Sequence, residues 1–271
     1  MTGFQNLHTH TTYCDGNLRP EGMIKAAIKK GCGSLGFSGH AHVPFDLIFS
    51  MKHETTRKYM SEVKALKEKY EGTIEIFLGL EQDYYTDRQP EGLDYVLGTV
   101  HYLKKGDKFV SVDASESHLK AIVNTYFGGD YYAMAEEYYE SMAGIIKRTN
   151  ADIVGHFDLI TKYNNGGRLF DETHPRYKAA ALSAMDEILK DCKIFELNTG
   201  AIYRFGKTDP YPSAFLLKEL LNRGGEVAVT SDSHDGESIG FRFAEMHELL
   251  KTCGYKHTKR LTKNGFTDVG L

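Results

Sequence analysis

Histidines and acids recur at one kind of place along this chain. His8 and His10 follow the apolar run 4–7, and His40 follows the run 35–38. Glu81 follows 74–80, His101 follows 95–100, and His156 follows 152–155. Asp232 and His234 close the series behind 227–231. Imidazole nitrogens and carboxylate oxygens are the donors that hold zinc, manganese and iron. One histidine behind one strand-like run means little. The same event at six runs, from residue 8 to residue 234, means that the strands share an end and that the donors converge there. A β/α barrel builds a metal centre in that way.

Taken singly, each residue has a plainer reading. His8-Thr9-His10 lies on an extended segment, where alternate side chains point the same way, so both rings can reach one ion. Asp15, next to Gly16, reads alone as a turn carboxylate. His40 and His42 form a second H-x-H pair: one reads as a ligand, the other as its support or as a substrate contact. Glu81 alone reads as a loop acid, and in the set as a carboxylate bridging two ions. His101 and His156 alone read as hydrogen-bonded buried histidines. Asp232 and His234 mirror His8 and His10, and in a barrel the first and last strands are neighbours. His53, His118, His174, His247 and His257 fall in helical or surface contexts and read as ordinary exposed histidines.

Strand-like and helix-period segments alternate around these residues. Strands are expected at 4–7, 34–38, 73–80, 95–100, 153–155, 193–197 and 226–230. They are apolar runs rather than strict alternations, as buried parallel strands should be. Helices are expected at 20–31, 55–70, 116–126, 130–148, 174–191, 212–222 and 237–252. Pro20 opens the first and Gly31 closes it. Met134, Tyr138, Met142 and Ile145 fall on one helical face, as do Tyr177, Ala181, Ala184 and Ile188. The segment 253–271 is basic and weakly patterned. The sum is seven β/α units in one domain, 1–271, forming an α/β barrel. A doubly wound sheet would gather its site at one switch point, whereas here polar residues follow nearly every strand.

Composition sets outer limits. The 271 residues carry a net charge of −4, which argues against a nucleic-acid or anionic-membrane partner. No apolar run reaches the roughly 18 residues of a membrane span, and no signal-peptide pattern opens the sequence. Four cysteines without a C-x-x-C pair read as reduced thiols, which points to a cytoplasmic location. The 17 tyrosines leave helical faces that suit either a core or an interface.

In this order the motifs resemble the PHP (polymerase and histidinol phosphatase) superfamily. They are H-T-H-T at 8–11, His40, Glu81, G-T-V-H ending at His101, G-H at His156 and S-D-S-H at 231–234. T-H-T-T-Y-C-D-G, G-L-E-Q-D-Y, G-H-F-D-L-I and F-E-L-N-T-G with Tyr211-Pro212-Ser213 resemble its histidinol-phosphate phosphatase branch. The resemblance implies a distorted (β/α)7 TIM-like barrel and hydrolysis of L-histidinol phosphate in histidine biosynthesis. It also implies three divalent ions, zinc, manganese or iron. His8, His10, Glu81 and Asp232 would hold the first. Glu81, His101 and His156 would hold the second, and Asp15, His40 and His234 the third. Asp15 stands where some members carry histidine, which favours harder metals such as manganese or iron there. Gly39 replaces a residue that is often acidic in the family.

For a phosphate monoester the expected nucleophile is a hydroxide bridging the ions that share Glu81. The leaving alcohol needs a proton, for which Asp232 and His42 are the candidates. Arg204, in the loop after the sixth strand, suits bidentate phosphate binding, and Lys162 is a second cation near the mouth. Asp83, Tyr84 and Asp113 lie near the right strand ends for the amine and imidazole of the substrate. Four other readings compete. A phosphatase for another small ester, such as a nucleotide or a phosphotyrosine, needs the same centre. A single-strand nuclease needs a basic groove. An amidohydrolase needs an eighth unit and usually a bridging lysine. A metal-loaded scaffold would lose ligands, yet all nine positions here are filled.

Overall fold

Seven parallel strands carry the architecture in the computed structural model, which describes residues 3–46, 48–88 and 90–271. In chain order the first half runs β1 (Phe4–Asn6), α1 (Pro20–Lys29), β2 (Cys32–Phe37), α2 (His53–Lys69), β3 (Glu75–Asp83) and β4 (Tyr95–Thr99). A hairpin follows, β5 (Tyr102–Lys105) and β6 (Lys108–Ser111). Then come α3 (Glu116–Phe127), α4 (Tyr131–Ala143), α5 (Ile145–Thr149), β7 (Ile153–Val154) and α6 (Pro175–Ile188). The last part is β8 (Ile194–Asn198), α7 (Gly200–Phe205), α8 (Ala214–Asn222), β9 (Glu226–Thr230), α9 (Phe243–Cys253), β10 (His257–Thr262) and β11 (Gly265–Gly270).

The sheet order is β1-β2-β3-β4-β7-β8-β9, and every neighbouring pair is parallel. The two outer strands meet just beyond their C-terminal ends. Thr9 and Ser233 form a parallel bridge there. His10 N donates to Ser233 O at 2.8 Å, and Ser233 N donates to His8 O at 3.0 Å. The result is a nearly closed, distorted TIM-like barrel. None of the helices among the described residues is long and apolar enough to cross a membrane.

Leu7, Phe77, Tyr95, Leu97, Ile153, Ile194, Ala228 and Leu261 pack together inside the strand ring. Tyr95 reaches across it: its hydroxyl donates to Leu7 O at 2.5 Å and to Phe37 O at 3.1 Å. Two glycines make room for it. A Cβ on Gly36 would sit 2.5 Å from the Tyr95 hydroxyl, and one on Gly79 2.5 Å from its ring. Outside the ring, Met134, Tyr138, Met142, Tyr177, Ala181 and Ile188 join one large apolar layer between helices and sheet, on the faces that the sequence predicts.

The structure departs from the sequence reading at the edges of elements. The helix expected over 130–148 breaks at Gly144 into α4 and α5, where a Cβ would meet the Tyr84 ring at 3.2 Å. α9 begins at Phe243 rather than near 237, after a run of turns that ends with Arg242 in the left-handed region. The tail forms a hairpin, β10–β11, that lies beside β9 at the N-terminal end of the barrel. There Leu261 N donates to Gln5 Oε1 at 2.8 Å, and the Leu261 side chain enters the barrel core.

Candidate metal centre

Glu81 stands at the middle of the barrel mouth, buried on β3. Five imidazoles surround its two oxygens. His156 Nε2 lies 2.9 Å and His101 Nε2 3.4 Å from Oε1. His40 Nδ1 lies 2.9 Å from Oε2, and His8 Nε2 and His10 Nε2 each lie 3.4 Å from it. Each histidine sits just past a different strand end, apart from the His8/His10 pair, so with Glu81 itself five strands supply the set.

Two further groupings flank this carboxylate. His8 Nε2 and His10 Nε2 face each other at 3.1 Å, with Asp232 Oδ1 at 3.5 and 3.3 Å from them. Asp15 Oδ2 lies 2.9 Å from His234 Nε2 and 3.6 Å from His40 Nε2, and Asp15 Oδ1 lies 3.1 Å from His10 Nδ1. Asp232 holds a left-handed backbone, φ 46°, which acids tolerate better than most residues. Held there, it turns its carboxylate back toward the histidines of the first strand.

The fit to divalent cations rests on these donors. Glu81 Oε2 and Asp15 Oδ1 are buried and accept no hydrogen bond. An orphaned buried carboxylate oxygen is costly unless something positive meets it. The titration behaviour points the same way. Burial alone would lower His8, yet Glu196, Asp232 and Glu81 draw its pKa up to about 10. Burial also opposes the shifts of His10 and His40, which the carboxylates raise well above the usual range. Glu81 stays ionised against its burial because His40, His8 and His101 surround it. His234 behaves oppositely: burial, then His10 and Arg204, lower it to about 4, so it is neutral and ready to bind a metal. The cluster thus calls for positive charge, and divalent ions would displace protons in supplying it.

A layer of acids behind the donors fixes their rings. Glu196 on β8 is fully buried, and His8 Nδ1 donates to its Oε2 at 2.8 Å. That bond leaves His8 Nε2 directed into the cluster. Glu196 also accepts from His156 N at 2.5 Å, Asn198 Nδ2 at 2.8 Å and Thr230 Oγ1 at 2.8 Å. Asp83 does the same for His101, accepting from its backbone N at 2.7 Å and facing Nδ1 at 3.3 Å. The sequence reading missed Glu196. Its signal was an acid in the middle of the apolar strand F-E-L-N, which cannot be buried without a partner.

Above the cluster lies a cavity of about 300 Å³. Arg204, Lys162, Asp113, Tyr102, Tyr163 and Tyr211 are on its walls. Arg204 sits on the short helix α7 rather than in a loop. It pairs with Asp232 Oδ2 at 2.8 Å, donates to Asp232 O at 2.7 Å and touches His234 Nδ1. Lys162 Nζ donates to Asp113 O at 2.8 Å and pairs with Asp113 Oδ2 at 3.1 Å. Although burial opposes it, Lys162 holds the Asp113 carboxyl down at about 2.

Two expected contacts are elsewhere. His42 is not on the cavity wall. Its Nδ1 lies 3.2 Å from Met51 O, and its ring packs on His53 at 4.3 Å. Strand alternation carries only as far as His40, which still bridges to Glu81, after which the chain turns outward. Tyr84 is also off the cavity, packed over Gly144 on the outer side. β3 runs on through Asp83, so Glu81 and Asp83 share the inner face and Tyr84 takes the opposite one.

A family model described as the PHP domain matches residues 6–200. The chain belongs to the PHP family. Among PHP relatives, it is 29% identical to a "probable histidinol-phosphatase" of Deinococcus radiodurans over 96% of this chain and 99% of that protein. It is 24% identical to the histidinol-phosphatase of Bacillus subtilis, over 91% of this chain and 98% of that one. Its fold is similar to the histidinol phosphate phosphatase of Lactococcus lactis, solved with zinc, L-histidinol and phosphate. That match has TM-score 0.74 and 19% identity over 97% of this chain and 98% of the other. The hisK chain of Listeria monocytogenes gives TM-score 0.77 and 19% identity, over 89% and 99% of the two chains.

Proposed function

We propose that this chain is a metal-dependent phosphomonoesterase that hydrolyses L-histidinol phosphate to L-histidinol and phosphate. The observation that carries the reading is the gathering of five imidazoles on the two oxygens of Glu81 at the mouth of a PHP barrel. Full-length similarity to histidinol-phosphatases supports the substrate. Three divalent ions, zinc, manganese or iron, suit the donors. His8, His10 and Asp232 with Glu81 would hold one, and Glu81, His101 and His156 another. Asp15, His40 and His234 would hold the third, with His10 close enough to share it. When bound, such ions supply a nucleophile from water near neutral pH and neutralise phosphoryl oxygens.

The chain's own residues do the rest. Glu196 and Asp83 hold His8 and His101 in single orientations. Arg204 stays charged, its guanidinium stabilised by Asp232 despite burial, and is proposed to take a phosphoryl oxygen with the N–H groups that Asp232 leaves free. Asp113 and Lys162, also on the cavity wall, would offer one negative and one positive group to the alcohol half of the ester. Asp232 is a poor proton donor: against its burial, Arg204 and His8 keep it ionised. It acts as a ligand in this reading. The four cysteines are free thiols, in keeping with a cytoplasmic enzyme.

A phosphate-release assay tests the proposal. L-histidinol phosphate, AMP, a phosphotyrosine peptide and p-nitrophenyl phosphate are compared with Mn²⁺ and with chelator. The expected result is a lead for L-histidinol phosphate of ~10³ or more in kcat/KM, lost on chelation. A different best ester would overturn the substrate and leave the metal centre standing.

A further inference from the structure

Outside the barrel mouth, three donors from three separate segments meet. His42 follows β2, His53 opens α2, and Asp87 lies in the β3–β4 connection. One ligand atom from each lies within 4.8 Å of the others. His53 Nε2 is 3.3 Å from Asp87 Oδ2, and the His42 and His53 rings are 4.3 Å apart at 57°. We infer that His42, His53 and Asp87 form a separate site for a borderline divalent cation such as zinc, and that the ion staples the loop 43–52 shut at its base.

The chemistry of each donor supports this. A proton on His42 Nδ1, shared with the Met51 carbonyl at 3.2 Å, leaves Nε2 as a bare lone pair. That second bond is the device that orients metal-binding histidines. Asp87 brings the negative charge. Among the described residues its only ion pair is with His53, although Arg88 follows it directly in the chain and Lys52 adjoins His53. A tetrahedral zinc with bonds of about 2.0–2.1 Å sets donors roughly 3.4 Å apart. The His53–Asp87 pair, at 3.3 Å, already has that spacing, and a His42 nitrogen lies within 4.8 Å of both. Two imidazoles and one carboxylate leave a fourth position for water. The positive end of α2 opposes a cation at His53, but that effect is screened at an exposed site.

The location gives the site its consequence. His42 and His53 flank the loop 43–52, and Val43, Asp46, Phe49 and Ser50 of that loop line the cavity. The loop is already tied inward, since the Tyr102 hydroxyl donates to Asp46 Oδ2 at 2.8 Å. An ion joining both loop ends to Asp87 would fix this wall of the cavity without touching the reacting groups. The site does not depend on which ester is cleaved.

The test uses the full chain with its central ions in place. Zinc is titrated into wild type, His53→Asn and Asp87→Asn, and bound metal is counted after competition with a chromophoric chelator. Wild type takes up one equivalent more than either variant. All three have the same turnover before the extra zinc is added. Hydrogen exchange in 43–52 is followed in parallel. At free zinc ten times the dissociation constant, exchange slows about tenfold in wild type only. Equal zinc uptake in the three proteins would overturn the site. An extra equivalent with unchanged exchange would overturn the staple.

Discussion

The two ends of the barrel interior are made of opposite materials. At the C-terminal end, six histidines and two acids, Asp15 and Asp232, crowd around Glu81, and two more acids, Glu196 and Asp83, stand behind them. At the other end the same strands contribute Leu7, Phe77, Leu97, Ile153 and Ile194, sealed by Leu261 from the final hairpin. One end concentrates charge that folding alone would disfavour. The other supplies apolar burial, which favours folding at about 25 cal/mol per Å². The comparison teaches a division of labour: residues within the strands hold the barrel together, and residues near or just past their C-terminal ends are placed for chemistry.

Mutations at the two ends should therefore separate activity from stability. Glu81→Gln removes the charge between five imidazoles. Turnover should fall on the order of 10³-fold or more, with metal content reduced and the circular dichroism spectrum retained. A variant that kept its turnover would end the idea that this carboxylate organises the mouth.

Asp158, two residues beyond His156, shows what the polar end costs. Burial raises its carboxyl to about 7, with Lys207 opposing. Its folded value lies above the unfolded value near 3.9, so folding favours the neutral form. That contribution is full below about pH 4 and is lost as pH rises to 7. It amounts to at most about 4 kcal/mol. Asp158→Asn should flatten the pH dependence of stability over that interval. Urea unfolding of both proteins at several pH values measures the difference, and parallel curves would contradict it.

At the apolar end, Leu261→Ala should cost about 2–4 kcal/mol in urea unfolding, with kcat/KM within about twofold of wild type. Loss of metal along with stability would show that the two ends are not independent. The smallest effect is the most local. Glu196→Gln leaves every donor in place but weakens the hold on His8, and metal affinity should drop about 10- to 100-fold in a chelator competition.

The donors at the mouth were legible in the sequence because each follows an apolar run, and parallel strands put all such positions at one end. The supports were less legible. Glu196 is hidden inside a strand, and only its unsuitability for an apolar core marks it. His42 and Tyr84 were misplaced for geometric reasons: the chain leaves the strand after His40, and β3 runs past Glu81 with alternate facing. The two hairpins carried their own signals: Gly106-Asp107 makes one two-residue turn, and Lys263-Asn264, followed by Gly265, makes the other. The reach of Leu261 into the barrel has no local signature, because it depends on contacts with strands far away in the chain.

The seam between the first and last strands is closed by the segments that bear His8, His10, Asp232 and His234. The donors proposed for one ion thus come from opposite ends of the chain, and joining the barrel also brings them together. During synthesis, a chain still lacking its last strand has neither a closed barrel nor a complete set of donors for that ion. On the proposed reading, loading of that ion therefore waits for the whole barrel.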